Sequence, residues 1–206
     1  MSEVYNQADL LKARMYAGRG RQDSLRAAQL TRGDLRRVDL AGADLTVATF
    51  REAQLAEINL SGAILSSANF RGAGLERANL SGARLDHAQL TGARLADADL
   101  READLTAAHL READLSRVKA AGACLVEATL QETNLSGADL QGADLRGAKL
   151  LVTDLRGANL AGADLRGATL WWPKLAGVTL AGARLDDVTL VSVQENLTAL
   201  ASENDS

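Results

Sequence analysis

The 206-residue chain is predicted to fold as an all-β repeat solenoid, and three features of its sequence carry that expectation. Leucine occupies every position divisible by five from Leu25 to Leu190 except Phe50, Phe70 and Ala120, so 34 five-residue units follow one another without an insertion. The residue two before each leucine is nearly always Ala, with Val or Ile at 38, 58, 118, 178 and 188, while the residue between is mostly Asp, Asn, Gln, Thr or Arg. Successive side chains of a strand point to opposite faces, which sends the leucine and the small residue inward and the intervening polar residue outward. The two residues after each leucine are polar or glycine, and Gly in the second of them suits a type II turn, whose second central residue needs a positive φ.

Taken in order, residues 1–22 precede the regular repeat. Asp9 stands before LLKARMYA, where Leu11 and Met15 share a helical face and Gly18 sits where a left-handed C-cap is wanted, so a short helix is predicted over 9–17. Such a helix would cover the unpaired strand edges at that end of a solenoid. Residues 23–191 carry the repeat. Beyond them, residues 192–206 lose the phase: Ser192 and Glu195 have capping-box spacing, and Val193, Leu197 and Leu200 share one side, which predicts a C-terminal capping helix over 193–201 before a disordered ENDS tail.

Composition narrows the setting. A formal charge of −4 marks neither a strongly basic nucleic-acid binder nor an acidic disordered chain. The single cysteine, Cys124, excludes an internal disulfide and suits a reducing cytosol. No stretch approaches the ~20 apolar residues of a membrane span, and the start MSEVYNQADLLKAR lacks the apolar core of a signal peptide. A cytoplasmic protein without membrane association is therefore expected.

Residues 136–170 read SGADL QGADL RGAKL LVTDL RGANL AGADL RGATL, which closely resembles the A(D/N)LXX consensus of the pentapeptide repeat protein family, a largely bacterial group. The resemblance implies a right-handed quadrilateral β-helix in which four pentapeptides make one coil and each supplies one wall. The LL...MYAGRGRQ run before the first coil likewise resembles the helical cap of many members. Residues 20 apart then become vertical neighbours, and eight and a half coils at ~4.8 Å each give a rod about 40 Å long. On this register one column holds Gly at 42, 62, 82, 122, 142, 162 and 182, broken only by Glu102. Phe50 and Phe70 should stack. Ala120 should leave volume that Val118 partly refills, and the inward hydroxyls of Thr133 and Thr153 need backbone partners. Pro173 continues that column and, having no N–H, should make the last coils less regular.

The residues that could carry chemistry do not converge. His87 and His109 lie at outward phases of neighbouring walls, where no cleft gathers partners for a general base. Cys124 sits between Asp104 and Asp144 with no base adjacent to activate the thiol as a nucleophile. Asp144 and Asp164 share one column, but Arg146 and Arg166 stand two residues on, so ion pairs explain them better than a hard-cation site. No catalytic residue, metal site or cofactor is expected, and the chain is read as not an enzyme. One departure from the repeat stands out. Leu151, Trp171 and Val191 share an outward column, with Val152 and Trp172 beside them, at phases that otherwise hold mainly polar residues or glycine. Five apolar residues with two Trp on adjoining coils form a candidate interface. It could be covered by the C-terminal tail through Leu197 and Leu200, or by a protein partner or second subunit, leaving a monomer or a homodimer through the C-terminal region.

Two functions follow from the resemblance. One is a non-catalytic protein–protein interaction scaffold or regulatory module, built on a rigid rod. The alternative is a DNA mimic that binds and protects a type II topoisomerase such as gyrase. A duplex carries about one negative charge per ~1.7 Å, so a ~40 Å mimic needs roughly 20. The walls beginning at Leu25, Leu30, Leu35 and Leu40 carry −4, +2, +1 and −2, which favours the scaffold.

Overall fold

Every unit places its backbone where the five-residue phase requires. The computed structural model describes residues 25–191, so the proposed helices over 9–17 and 193–201, and the segments 1–22 and 192–206 that hold them, lie outside the described residues. Residues 20 apart pair in parallel throughout, from Gln29 with Thr49 to Asp164 with Arg184. Four pentapeptides therefore make one coil, and the chain is a β-helix solenoid with four ladders of bridges. In each unit the bridge forms at the outward residue before the leucine. Along the ladders the leucine N–H donates to the next coil, as from Leu100 to the Lys119 carbonyl at 2.6 Å, and the outward residue donates back, as from Asp99 to the Ala78 carbonyl at 2.9 Å.

The core is a stack of leucine and alanine layers. Leu45 to Leu180, with Phe50 and Phe70 among them, are buried, as are the small residues from Ala48 to Ala168. Phe50 and Phe70 stack face to face, their centroids 4.7 Å apart and their rings inclined by 1°. Ala120 and Val118 are both buried. The Thr133 hydroxyl donates to the Leu110 carbonyl at 2.8 Å and that of Thr153 to the Leu130 carbonyl at 2.7 Å, which satisfies both inward polar groups.

Between walls the chain turns through residues that hydrogen-bond from the small residue back to the leucine, as from Ala63 to Leu60 at 3.0 Å. The second residue after each leucine has positive φ in every unit from Ala27 to Asp187, whether or not it is glycine. Glycine is therefore the least strained choice at this phase rather than its requirement. Val47 is the clearest case of the cost: a β-branched residue at φ 53° whose side chain is exposed and gains little from packing. Val47→Gly is expected to raise stability by about 1 kcal/mol, or ~2 to 4 °C in thermal midpoint, because relief of the left-handed strain exceeds the added entropy of the unfolded chain. A lowered midpoint in a thermal melt would contradict that geometry.

The regular pattern changes along one corner. Three short strands, β1 (Lys149–Leu151), β2 (Thr169–Trp171) and β3 (Thr189–Val191), form a parallel sheet in that order, with Leu150, Leu170 and Leu190 in register. Here the ladder runs one residue past the leucine. At β2 this fits Pro173, which has no N–H with which to close its turn, whereas β1 extends in the same way with Thr153 at that phase.

Candidate protein interface at the Trp171–Trp172 corner

The strand extension brings the unusual apolar residues together. Leu151 pairs with Trp171 and Trp171 with Val191, so three apolar side chains rise in one column at the end of the sheet. The Val152 N–H donates to the Trp171 carbonyl at 2.6 Å and that of Trp172 to the Val191 carbonyl at 2.7 Å, fixing the second column beside the first. Trp171 and Trp172 are 43% and 56% exposed, Val152 and Val191 are also exposed, and Leu151 is half-buried. The indole rings lie 6.4 Å apart and are tilted by 58°, an arrangement that presents both rings to the surroundings rather than packing them flat on the wall. Val152 and Trp172 hold φ of 55° and 48°, so a β-branched side chain and one of the two indoles stand at strained turn positions.

Elsewhere, Val47 apart, the exposed wall residues are mainly polar, and many of their charges are paired. Arg146 grips Asp144 through two bonds of 2.8 and 2.6 Å, and Arg166 grips Asp164 at 2.9 and 2.6 Å. The Arg166 hydrogen bond holds the Asp164 carboxyl down at about 2, and Arg156 does the same to Asp154. One corner carries a vertical run of alternating charge: Arg37 and Arg77 each reach Glu57 at 2.8 Å, and Arg117 binds Asp97 twice at 2.8 Å. Glu57 and Asp97 are accordingly lowered by their arginine hydrogen bonds.

The remaining residues singled out in the sequence lie apart. His87 and His109 are exposed, and Cys124 is half-buried with its sulfur 3.2 Å from the Thr106 hydroxyl. Among the described residues no group of three or more His, Cys, Asp or Glu side chains is placed to hold a metal ion, and no helix is long and apolar enough to cross a membrane.

One role was missed in the sequence. The Asp or Asn before each leucine is not merely a solvated outward residue. Its side chain accepts the N–H two residues on, as Asp99 does from Arg101 at 3.1 Å and Asn59 from Ser61 at 3.2 Å. That bond pins the entry to the turn, and the Asp/Asn preference of the motif is its signature. Asn59 also donates to Asp39 at 2.8 Å and Asn79 to Asn59 at 3.1 Å, tying successive coils through an amide ladder.

The pentapeptide repeats family matches the chain in eight copies spread over residues 24–190. The chain belongs to the pentapeptide repeat family. Among solved structures this pentapeptide repeat protein is similar to HetL of Nostoc sp. Strain PCC 7120, a pentapeptide repeat protein involved in heterocyst differentiation regulation. The two are 32% identical, the match covers 84% of this chain and 94% of HetL, and the TM-score is 0.37. A pentapeptide repeat protein of the Arabidopsis thaliana thylakoid lumen is 31% identical over 50% of this chain and 69% of its own, with a TM-score of 0.42. QnrB1, a plasmid-mediated fluoroquinolone resistance protein, is 24% identical over 86% of this chain and 89% of its own, with a TM-score of 0.46. No match was found among curated proteins. The family is one of β-helix repeat proteins, and no enzyme family is indicated.

Proposed function

We propose that this pentapeptide repeat protein is a non-catalytic interaction module that binds a protein partner through Leu151, Val152, Trp171, Trp172 and Val191. One observation carries the reading: among the described residues, four of the five exposed large apolar side chains, all but Val47, gather on adjoining coils at one corner, with both tryptophans of the chain among them. Exposed apolar area of this kind favours association, and Trp supplies large contact area at low entropic cost. The reading includes the finer geometry expected for the family, a right-handed quadrilateral coil with helical caps over 9–17 and 193–201, and a cytoplasmic setting in keeping with the single cysteine.

The paired acids weigh against the topoisomerase-binding alternative. A duplex mimic needs rows of unneutralised negative charge, whereas Asp144, Asp154 and Asp164 are each held by an arginine two residues on.

The double substitution Trp171→Ala, Trp172→Ala tests the reading, because both side chains point away from the core. Cross-linking in extract of the native host, run in parallel on the wild type and the variant, should give a protein adduct with the wild type that the variant loses. Its thermal midpoint should move by less than ~2 °C. An unchanged adduct together with a large fall in midpoint would make the two tryptophans structural and remove the interface.

A further inference from the structure

At the corner formed by residues 36 and 37 and their counterparts 20 and 40 residues on, the first three described coils leave a cavity of about 500 Å³ lined by Asp34, Arg36, Arg37, Ala56, Glu57 and Arg77. It exists because Ala56 is short. Its neighbours 20 residues away are Arg36 and Glu76, and Glu76 is drawn off to Arg94 at 2.7 Å. The lining sets three arginines against two carboxylates, a net charge of +1.

The three guanidiniums are each held at one edge and keep donors in hand. Arg36 binds Asp34 through Nε at 2.9 Å and Nη2 at 2.8 Å, whereas Arg37 binds Glu57 through Nε alone at 2.8 Å and Arg77 binds the other Glu57 oxygen through Nη2 at 2.8 Å. One carboxylate thus braces two arginines from the coils on either side of it. Among the described residues nothing accepts from Nη1 of Arg36, from either Nη of Arg37, or from Nε and Nη1 of Arg77. The floor adds a backbone donor. Asp34 accepts the Arg36 N–H at 3.2 Å, but in the next coil its place is taken by Gln54, and among the described residues the Ala56 N–H meets no acceptor. A half-buried N–H without an acceptor, beside three arginines, makes a donor set for an anion.

We propose that this cavity binds a phosphate monoester group, with Arg36, Arg37 and Arg77 donating to its oxygens and the Ala56 N–H beneath it. Donors that approach from three side chains and a backbone suit a tetrahedral dianion better than a planar carboxylate, and the guanidinium fork is matched to phosphate oxygens. The ion pairs to Asp34 and Glu57 are exposed, and pairs of that kind are weak enough to be remade around a doubly charged group. The volume admits a small phosphorylated compound or a phosphorylated side chain, which share this chemistry. The cavity lies on a different corner from the tryptophans, so the inference goes beyond the interface proposed above and does not depend on it.

Inorganic phosphate is the first probe. In nitrogen–proton correlation spectra of the full chain at constant ionic strength, it should move the Ala56 amide and the Arg37 and Arg77 Nε signals along one saturable curve, with a dissociation constant of about 1 mM. Chloride at the same ionic strength should leave them in place, and Arg77→Gln should weaken binding at least tenfold. Gln54→Asp is the sharper variant. Gln54 is exposed, and aspartate there restores the residue that the repeat prefers, gives the Ala56 N–H an acceptor and adds a negative charge. That variant should keep or raise its thermal midpoint while losing the titration. A phosphoserine peptide that binds tenfold more tightly than methyl phosphate would assign the group to a protein side chain, and equal affinity would assign it to a small free compound. Shifts that grow linearly with phosphate and spread over all arginines, or a Gln54→Asp variant that binds as the wild type does, would overturn the inference.

Discussion

Leu100→Asp is expected to prevent folding. Leu100 is fully buried in the middle of the stack, in a layer whose neighbours are Leu, Ala and Val side chains without a polar partner to offer. An ionised carboxylate there would lack both water and a counter-charge, and even the protonated acid would forfeit the leucine packing. The combined cost of several kcal/mol compares with the 5 to 15 kcal/mol that holds a typical domain. A solenoid has no second core to fall back on, since each coil is stabilised only by the coils above and below it. Circular dichroism and a thermal melt of the purified variant should show no cooperative transition. A melt like that of the wild type would place position 100 on the surface and break the leucine register.

Phe50→Ala should be the most costly truncation, at about 3 to 5 kcal/mol. Phe50 and Phe70 are the only aromatic rings in the described core, both fully buried, and their face-to-face contact fills two successive layers. Removing one ring leaves a void that neighbouring leucines cannot close without leaving their ladder positions, and it strands the face of the other. Unfolding in urea should show the midpoint falling with little change in slope, as stability drops but the surface exposed on unfolding does not. A loss below ~1 kcal/mol would mean that the coil contracts around the gap.

Both results depend on features that were readable before any coordinates. A phase that never slips across 34 units leaves one register open, because a shift by one residue would turn every leucine outward. The stacking of Phe50 on Phe70 followed from counting in twenties, the buried hydroxyls of Thr133 and Thr153 from their inward phase, and the pairing of Arg146 with Asp144 from a separation of two residues. Other features were hidden because they depend on the backbone rather than on residue type. The positive φ at Val47, Glu102 and Trp172 is imposed by the closure of the coil, not chosen by those residues. The hydrogen bond that the residue before each leucine accepts from the N–H two positions on is encoded in the Asp/Asn preference, but strand alternation by itself shows only that the residue points outward. The strand extension at β2 fits the missing N–H of Pro173, but β1 extends in the same way with Thr153 at that phase, so proline alone does not explain the irregular corner.

The tryptophan corner can be read directly, because Trp171 and Trp172 are the only tryptophans in the chain and intrinsic fluorescence therefore reports on the patch alone. Both rings are exposed by 43% and 56%. In the free protein their emission should be that of hydrated indole and should be quenched readily by acrylamide. Deleting residues 192–206 should leave both properties unchanged, and the addition of the cross-linked partner should shift the emission to the blue and protect it from quencher. Emission already blue and protected in the dilute free chain, turning red and quenchable once residues 192–206 are removed, would show that the chain covers its own tryptophans and would contradict the interface.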